Sequence, residues 1–246
     1  MEWSSTGVLC SAQRHGEAGA IVKVLTPDHG LYAGFVPGGM SKRRRASLEP
    51  GNDVAVRWRA RLHEHLGTMQ IEPVKVRAAT VMASPLRLAA LACLTSTVGS
   101  SLTEREALPA IAEALSVTLD LVCDEAIPPE AVGAAVVRFE LGLLSRLGFA
   151  LDLSRCASTG QTDDLAYVSP KTGRAVSKVA GQPYHDRLLV LPAFLLGSQA
   201  GEAHAESLKD GFRLTGYFLE KWVMEPRNAE LPQARERLIQ QLQKHL

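Results

Sequence analysis

The strongest constraint on the fold is a change from β-strand patterns to helical patterns near residue 78. Before this point, apolar and β-branched runs separated by turn residues predict five strands, near residues 7–14, 19–26, 31–36, 52–62 and 66–76. Five short antiparallel strands in so short a segment are typical of a small closed barrel, and the OB-fold has this number of strands. We therefore predict an OB-fold in residues 1–80, a domain class that binds nucleic acids.

Helical patterns dominate the remaining chain. Ser84-Pro85 is typical of a helix start, because proline is tolerated at the first helical position. Pro128-Pro129 opens another helix, with apolar residues at helical spacing. Residues 150–186 are rich in small and polar residues and lack periodicity. We therefore predict an α+β protein, in which a five-stranded OB-fold β-barrel precedes an all-α helical domain (81–246) with an irregular loop region at 150–186.

Three further patterns place helix boundaries. Thr103-Glu104-Arg105-Glu106 resembles a capping box and predicts a helix directly after it. Residues 205–224 form an amphipathic pattern whose apolar side includes Leu208 and Phe212. Pro232 precedes a last helical segment. These patterns favour a helical domain that packs by apolar faces.

The two parts of the chain differ in charge, although the formal net charge is only +1. Residues 1–80 contain 11 Lys and Arg against 7 Asp and Glu, which gives +4. The remainder contains 16 against 19, which gives −3. A basic N-terminal module and a mildly acidic body suit different partners.

The cations of the N-terminal module are grouped in a loop and along a strand. Each Lys or Arg that neutralises a phosphate releases counterions, so such groups give salt-dependent, sequence-independent affinity. A solvated basic loop without a partner is the alternative interpretation. The candidate DNA-binding residues are Lys42, Arg43, Arg44 and Arg45 of the loop, and Arg57, Arg59 and Arg61, which alternate with apolar residues.

Aromatic residues in this module are few. Trp3, Tyr32 and Phe35 are available to stack on bases, as in proteins that bind single strands. Large apolar residues dominate small cores, so we expect Phe35 and Trp58 to fill the barrel interior instead.

Motifs of catalysis are absent from the sequence. It contains no GxxxxGK[ST], GxGxxG, HExxH or GxSxG. A Ser-His-Asp triad needs only spatial proximity, so a hydrolase stays open as an alternative. The pattern favours a binding protein and not an enzyme.

Cysteine usage and hydropathy bear on the compartment. Cys10, Cys93, Cys123 and Cys156 are widely scattered, which suits reduced thiols better than a disulfide framework. The N-terminal residues lack a secretory pattern, and no apolar run reaches the length of a membrane span. We expect a cytoplasmic protein.

Four segments taken in order resemble the RecO family of bacterial recombination mediators. They are residues 2–39 (EWSSTGVLCSAQRHGEAGAIVKVLTPDHGLYAGFVPGG), 49–72 (EPGNDVAVRWRARLHEHLGTMQIE), 138–160 (RFELGLLSRLGFALDLSRCASTG) and 163–176 (DDLAYVSPKTGRAV). The resemblance implies an OB-fold followed by a helical domain. It also implies a nucleoid-associated, non-enzymatic mediator of DNA repair. Such proteins bind single- and double-stranded DNA, anneal strands, and help RecA replace single-strand-binding protein (SSB).

The resemblance also implies partners. Family members act with RecR and bind the acidic C-terminal tail of SSB, typically on the helical domain. Arg138, Arg146 and Phe139, on the predicted helix 130–147, are our candidates for that tail. Solvated arginines in surface salt bridges are the alternative for the two cations. For the whole chain, an RNA-binding OB-fold protein in translation or ribosome assembly is the alternative function.

One departure from the family pattern concerns zinc. Many members carry a four-cysteine site of the form CxxCG … GGxxCxxC. Here Cys156 holds the first position, Thr159 stands at the second, and Val176 and Val179 stand near the third and fourth. A structural zinc site needs four ligands, so we expect no zinc and no other cofactor. Packing of Leu165, Tyr167 and Val168 is then expected to hold this degenerate zinc-finger-like loop.

Overall fold

The computed structural model describes residues 1–41, 44, 46–62, 64–197 and 202–245. Five strands form the N-terminal sheet, in the spatial order β1-β2-β3-β5-β4, with β4 pairing back to β1. Their bounds are β1 Glu2–His15, β2 Gly19–Thr26, β3 Gly30–Val36, β4 Asp53–Arg59 and β5 Thr68–Lys75. All five predicted strands are present, and β1 begins five residues earlier than predicted.

Strand β4 shows how the sequence builds this barrel. Val54, Val56 and Trp58 are buried, whereas Arg57 and Arg59 are exposed. Side chains alternate between the two faces of a strand, so the alternation of apolar and basic residues fixes which face of β4 points inward. The interior is completed by apolar residues of the other strands and the β3–β4 connection, among them Leu9, Ala20, Val22, Val24, Tyr32, Leu48 and Met69.

The pairing between β3 and β5 is the shortest strand pairing among the described residues of the barrel. These strands meet at one parallel pair, Phe35 with Thr68, and the amide of Phe35 donates to the carbonyl of Gly67 at 3.0 Å. The OB-fold is a five-stranded, partly open barrel, and this sheet agrees with that description. The predicted fold class, an OB-fold followed by a helical region, is confirmed.

Residues 103–106 correct one helix prediction. They do not cap a helix, because the next helix begins at Pro109 with Leu108 as its N-cap. Glu104 instead bridges to Leu31, and the amide of Arg105 donates to the Leu31 carbonyl at 2.9 Å. This segment therefore pairs alongside the open edge of β3, where backbone groups would otherwise lack partners.

The helices begin largely where the sequence predicted. Ser84 Oγ accepts from the Arg87 amide at the start of the helix that Pro85 opens. Gly148, at φ 89°, follows the Pro129 helix in a left-handed conformation that glycine adopts without strain. The helices are α1 Arg77–Thr80, α2 Pro85–Ser101, α3 Pro109–Cys123, α4 Pro129–Arg146, α5 Lys178–Gly181, α6 Ala205–Phe218 with a π-helical continuation Leu219–Met224, and α7 Gln233–Leu242. Across the described ranges, none of these helices has the length and apolar character to cross a membrane.

Two strands of a small three-stranded sheet lie in the region predicted to be irregular (150–186), and the third strand follows that region. Strands β6 Leu165–Val168, β7 Ala175–Ser177 and β8 Leu189–Val190 pair in the order β7-β6-β8. Leu165 and Val168 are buried in one cluster with Cys156, and this cluster also includes residues of α4 and α6. Short strands with little alternation resemble loops in sequence, which explains why the pattern missed them.

The chain divides into two compact units. One comprises Met1–Glu125 with Pro232–Arg235, and the other Ala126–Leu231 with Glu236–Leu246. The first unit therefore contains α1, α2 and α3 together with the barrel. It runs past residue 80, where the change from strand to helix patterns set the end of the predicted domain.

Arg77 is a fully buried charge in the first unit, at 1% exposure. Its guanidinium pairs with Asp53, pairs with Asp120 at 2.6 Å and donates to Ser116 Oγ at 3.0 Å. Burial raises the pKa of Asp120, but hydrogen bonds from Arg77 and Lys75 outweigh it and hold that pKa below its usual value. Arg77 thus links β4 to α3 within this unit.

Candidate nucleic-acid interface

The basic loop is described only at one position. Lys42, Arg43 and Arg45 lie outside the described residues. Arg44 is exposed, and its Nη1 donates to the Pro37 carbonyl at 3.0 Å. This hydrogen bond holds the Arg44 guanidinium beside the C-terminal end of β3.

The three strand arginines differ in their surroundings. Arg57 is exposed and forms an ion pair with Glu2 of β1. Arg59 ends β4, is exposed, and has no ion-pair partner within the described part of the chain. Arg61 is exposed in the connection after β4. Of the two arginines within β4, Arg59 is therefore the one that is free to meet a phosphate without giving up a carboxylate.

Cross-strand pairing aligns Arg59 with an aromatic ring. Arg59 pairs with Thr68 of β5, and Thr68 pairs with Phe35 of β3. Residues opposite each other on neighbouring strands lie about 5 Å apart. A row of three residues, Arg59, Thr68 and Phe35, therefore runs along the outside of the barrel; we call it the outer row.

Only one of the two aromatic residues expected in the core, Trp58, lies there. Trp58 is fully buried and its Nε1 donates to the Leu66 carbonyl at 2.9 Å, as expected of a core residue. Phe35 is only partly buried and lies outside the core cluster, so the expectation that it fills the core was wrong. Tyr32 is buried, and Trp3 stacks on His29 with ring centroids 4.1 Å apart. The alternation along β3, with Tyr32 and Val36 inward, was the signal that places Phe35 outside.

The candidates for tail binding lie in the second unit. Phe139 is buried at 7% exposure, so little of its ring is available to a peptide, and its role in tail binding stays a prediction. Arg138 and Arg146 are exposed. Arg138 Nη2 donates to the Phe194 carbonyl at 2.9 Å, and its guanidinium lies 5.6 Å from the centroid of the Phe194 ring.

Arg138 also lines a pocket of about 850 Å³. Three carboxylates, those of Glu130, Glu202 and Glu206, line the same pocket. Like charges in one pocket disfavour an acidic ligand. The surroundings of Arg138 therefore suit an acidic peptide less well than its sequence position indicated.

A second pocket, of about 350 Å³, lies between α6 and α7. Leu208, Phe212, Ile239 and Leu242 line it, and Lys209 is also part of its wall. Sequence reasoning did not select this pocket, because its walls come from two separate amphipathic helices whose packing a local pattern does not reveal. It combines apolar walls with one cation, Lys209, and one carboxylate, Glu206.

The degenerate zinc loop keeps one sulfur at its centre. Cys156 is 1% exposed, and its Sγ accepts from the amides of Thr159 at 3.5 Å and Ser177 at 3.3 Å. Burial raises the pKa of the Cys156 thiol, but hydrogen bonds from Thr159 and Ser177 outweigh it and lower that pKa to about 6. Val179, near the fourth position of the family's zinc pattern, is 79% exposed and has no side-chain atom that could bind a metal. Among the residues that the structure describes, no three His, Cys, Asp or Glu side chains meet as metal ligands would.

A partly open five-stranded barrel with exposed arginines and a partly exposed aromatic ring on its surface is the architecture of oligonucleotide-binding modules. A family model described as "Recombination protein O N terminal" matches residues 1–77, and one described as "Recombination protein O C terminal" matches residues 82–229. The chain belongs to the RecO family.

Curated relatives match nearly the whole chain. The DNA repair protein RecO of Rhodospirillum centenum is 48% identical over 246 residues, covering 99% of this chain and 96% of its own. The protein of the same name from Mesorhizobium japonicum is 46% identical over 245 residues, covering 100% and 95%. That of Caulobacter sp. is 45% identical over 242 residues, covering 98% of each.

Proposed function

We propose that this protein is a DNA-binding recombination mediator in DNA repair. It binds single- and double-stranded DNA, promotes strand annealing, and helps load RecA onto SSB-coated single strands. It acts by binding and not by catalysis. The observation that carries the proposal is full-length similarity to proteins named DNA repair protein RecO, and the exposed arginines of the OB-type barrel support it.

The physical basis is neutralisation of phosphates on two strands at once. Arg59 and Arg61 are exposed, and so is Arg44, the described residue of the basic loop. Cations that contact both strands lower the repulsion between them and favour pairing. The second unit, with its apolar pocket, would supply contacts to protein partners.

The test is a salt series of binding to single-stranded and double-stranded DNA. Replacing Arg43, Arg44 and Arg45 by Ala should weaken binding to all sequences about equally. It should also reduce the slope of log K against log salt by roughly 0.7–0.9 per lost phosphate contact. An unchanged slope would show that the loop does not contact phosphates. Tighter binding of RNA than of DNA in competition would favour the RNA-binding alternative, since the 2′-OH distinguishes the two.

The proposed protein partners are RecR and the C-terminal tail of SSB. The tail ends in acidic residues, an apolar side chain and a free carboxylate, so its receptor needs an apolar pocket with a cation at the rim. Arg138 and Arg146 remain proposed contacts. The pocket between α6 and α7 is a further candidate, because it sets Lys209 beside apolar walls and contains one carboxylate, Glu206, against three in the pocket that Arg138 lines.

Calorimetric titration of the tail peptide separates these sites. Wild type should bind, and the variant of the true rim cation among Arg138→Ala, Arg146→Ala and Lys209→Ala should bind markedly more weakly. If no variant differs from wild type, the tail binds elsewhere on the protein. Co-elution with purified RecR in size-exclusion chromatography tests the other partner.

A further inference from the structure

Phe35 occupies an unusual place for a large apolar residue. On β3, Tyr32, Gly34 and Val36 face the interior and are buried, whereas Ala33 and Phe35 are only partly buried. The core cluster contains Tyr32 and Val36 but not Phe35. The barrel thus carries a phenyl ring on its outer face, where an apolar ring gains less from burial than it would inside.

The ring of Phe35 is supported by the sheet beneath it. A Cβ atom added at Gly19 of β2 would lie 2.3 Å from Cε2 of Phe35, so the ring rests directly on the glycine backbone. His15 of β1 meets the ring edge-on, with centroids 5.9 Å apart and an interplanar angle of 78°. The pair Phe35 and Thr68 joins β3 to β5 at this position. Gly19 and His15, on two neighbouring strands, therefore hold the ring in place.

Three arginines lie in the outer row or on segments that adjoin Phe35. Arg59 lies two strands away along the outer row, and Arg44 is hydrogen-bonded to Pro37, two residues after Phe35. Arg14, next to His15, donates to the Glu17 carbonyl in the β1–β2 turn. Glu2, the carboxylate that pairs with β4, is engaged by Arg57. Against these three arginines stands the exposed carboxylate of Glu17 in the same turn, so the cations outnumber the free carboxylates on these segments, which favours a phosphate backbone.

From this arrangement we infer that Phe35 is a base-stacking platform for single-stranded DNA. The inference rests on the proposed DNA-binding function and names the strand form that this face selects. A base can lie flat on an aromatic ring only when it is unstacked from its neighbours, which a single strand permits and a duplex does not. Faces of strands 2 and 3 are where OB-folds bind oligonucleotides, and base–aromatic stacking tolerates any sequence.

The experiment compares the full-length wild type with Phe35→Leu and Phe35→Trp by fluorescence anisotropy. The probes are a thymidine homopolymer, the same length of duplex, and an oligomer of abasic deoxyribose phosphates. Phe35→Leu should bind the homopolymer about 5- to 100-fold more weakly, the range expected for losing one stacked base. Binding to the duplex and to the abasic oligomer should stay as in wild type, and Phe35→Trp should restore homopolymer binding. The salt slope should not change, because Phe35 carries no charge.

A matched control is Tyr184→Leu, which removes a 60% exposed aromatic residue from the other compact unit and should leave all three affinities unchanged. Thermal unfolding of each variant shows whether the fold is retained. Equal losses on homopolymer, duplex and abasic oligomer would assign Phe35 a structural role and overturn the inference. Homopolymer binding by Phe35→Leu as tight as that of wild type would overturn it too, while leaving the proposed function intact. Failure of the wild type to bind any DNA would refute the proposed function itself.

Discussion

At the scale of single residues, Arg57 and Arg77 illustrate how burial changes the contribution of an ion pair to stability. Arg77 is 1% exposed and has two carboxylate partners, whereas Arg57 is exposed and pairs with one. Removing one member of a buried pair leaves a charge with too little solvent, while an exposed pair contributes little. Stability should therefore depend on Arg77 and hardly on Arg57.

We predict that Arg77→Leu lowers the free energy of unfolding by about 3 kcal/mol, at the low end for a buried pair because Asp53 and Asp120 keep some solvent. Arg57→Ala should cost less than about 1 kcal/mol. Urea unfolding followed by tryptophan fluorescence measures both. Similar costs for the two variants would contradict the prediction.

Acid provides a second measurement on the same cluster. Since the folded protein lowers the pKa of Asp120, its pairing contributes stability above the unfolded pKa of about 4 and loses it as pH falls through the folded value. The stability difference between wild type and Asp120→Asn should therefore shrink as pH falls from 7 to below about 4. A difference that does not depend on pH would show that Asp120 acts without its charge.

At the scale of elements, the alternation along β4 predicted which face carries the arginines, but not which arginine is free. In the register between β1 and β4, Ser4 lies opposite Arg57 and Glu2 lies opposite Arg59, yet Glu2 forms its ion pair diagonally with Arg57. Register is a long-range property, so it cannot be read from one strand alone. The two arginines are equivalent in sequence and different in the fold.

We predict that Arg59→Ala lowers the slope of log K against log salt for DNA binding by roughly 0.7–0.9. Arg57→Ala should lower it less, because Glu2 already neutralises that guanidinium. The single variant Glu2→Gln, which retains Arg57, offers a check, since removing the Glu2 carboxylate frees Arg57 and should steepen the slope. Equal effects of Arg57→Ala and Arg59→Ala would argue against the outer row as the path of the phosphates.

Two elements show where local patterns mislead. Residues 103–106 fit a capping box, yet they extend β3, because the open edge of the barrel offers backbone partners that a local pattern does not reveal. Phe35 was assigned to the core by its size, although strand alternation assigns it to the surface. Where size and periodicity disagreed, periodicity was the better guide.

At the scale of the whole molecule, the sequence predicted the order of a barrel and a helical region because the change of periodicity near residue 78 is sharp. It did not predict that α2 and α3 belong to the same compact unit as the barrel. Nor did it predict the sheet of β6, β7 and β8. Both depend on packing between distant segments. The sequence predicted the cations of the candidate site, but not the outer row that aligns Arg59 with Phe35.

We predict that the protein purifies without stoichiometric zinc and that chelators leave its melting temperature unchanged. The second unit has an apolar cluster around Cys156 that needs no metal to hold the loop, and a structural zinc would make folding depend on the metal. Elemental analysis and thermal unfolding with and without EDTA measure this. One zinc per chain would refute it.

The single pair that joins β3 to β5 also determines where the barrel opens locally. Proteins open locally at free energies well below that of global unfolding, and regions with few backbone hydrogen bonds open first. The amide of Phe35, bonded to Gly67 across this contact, should therefore exchange with deuterium sooner than the amides between β1 and β2. Exchange at that one amide would report directly how often the barrel opens on the side where the phenyl ring lies, and occupancy of that side by a ligand would slow it.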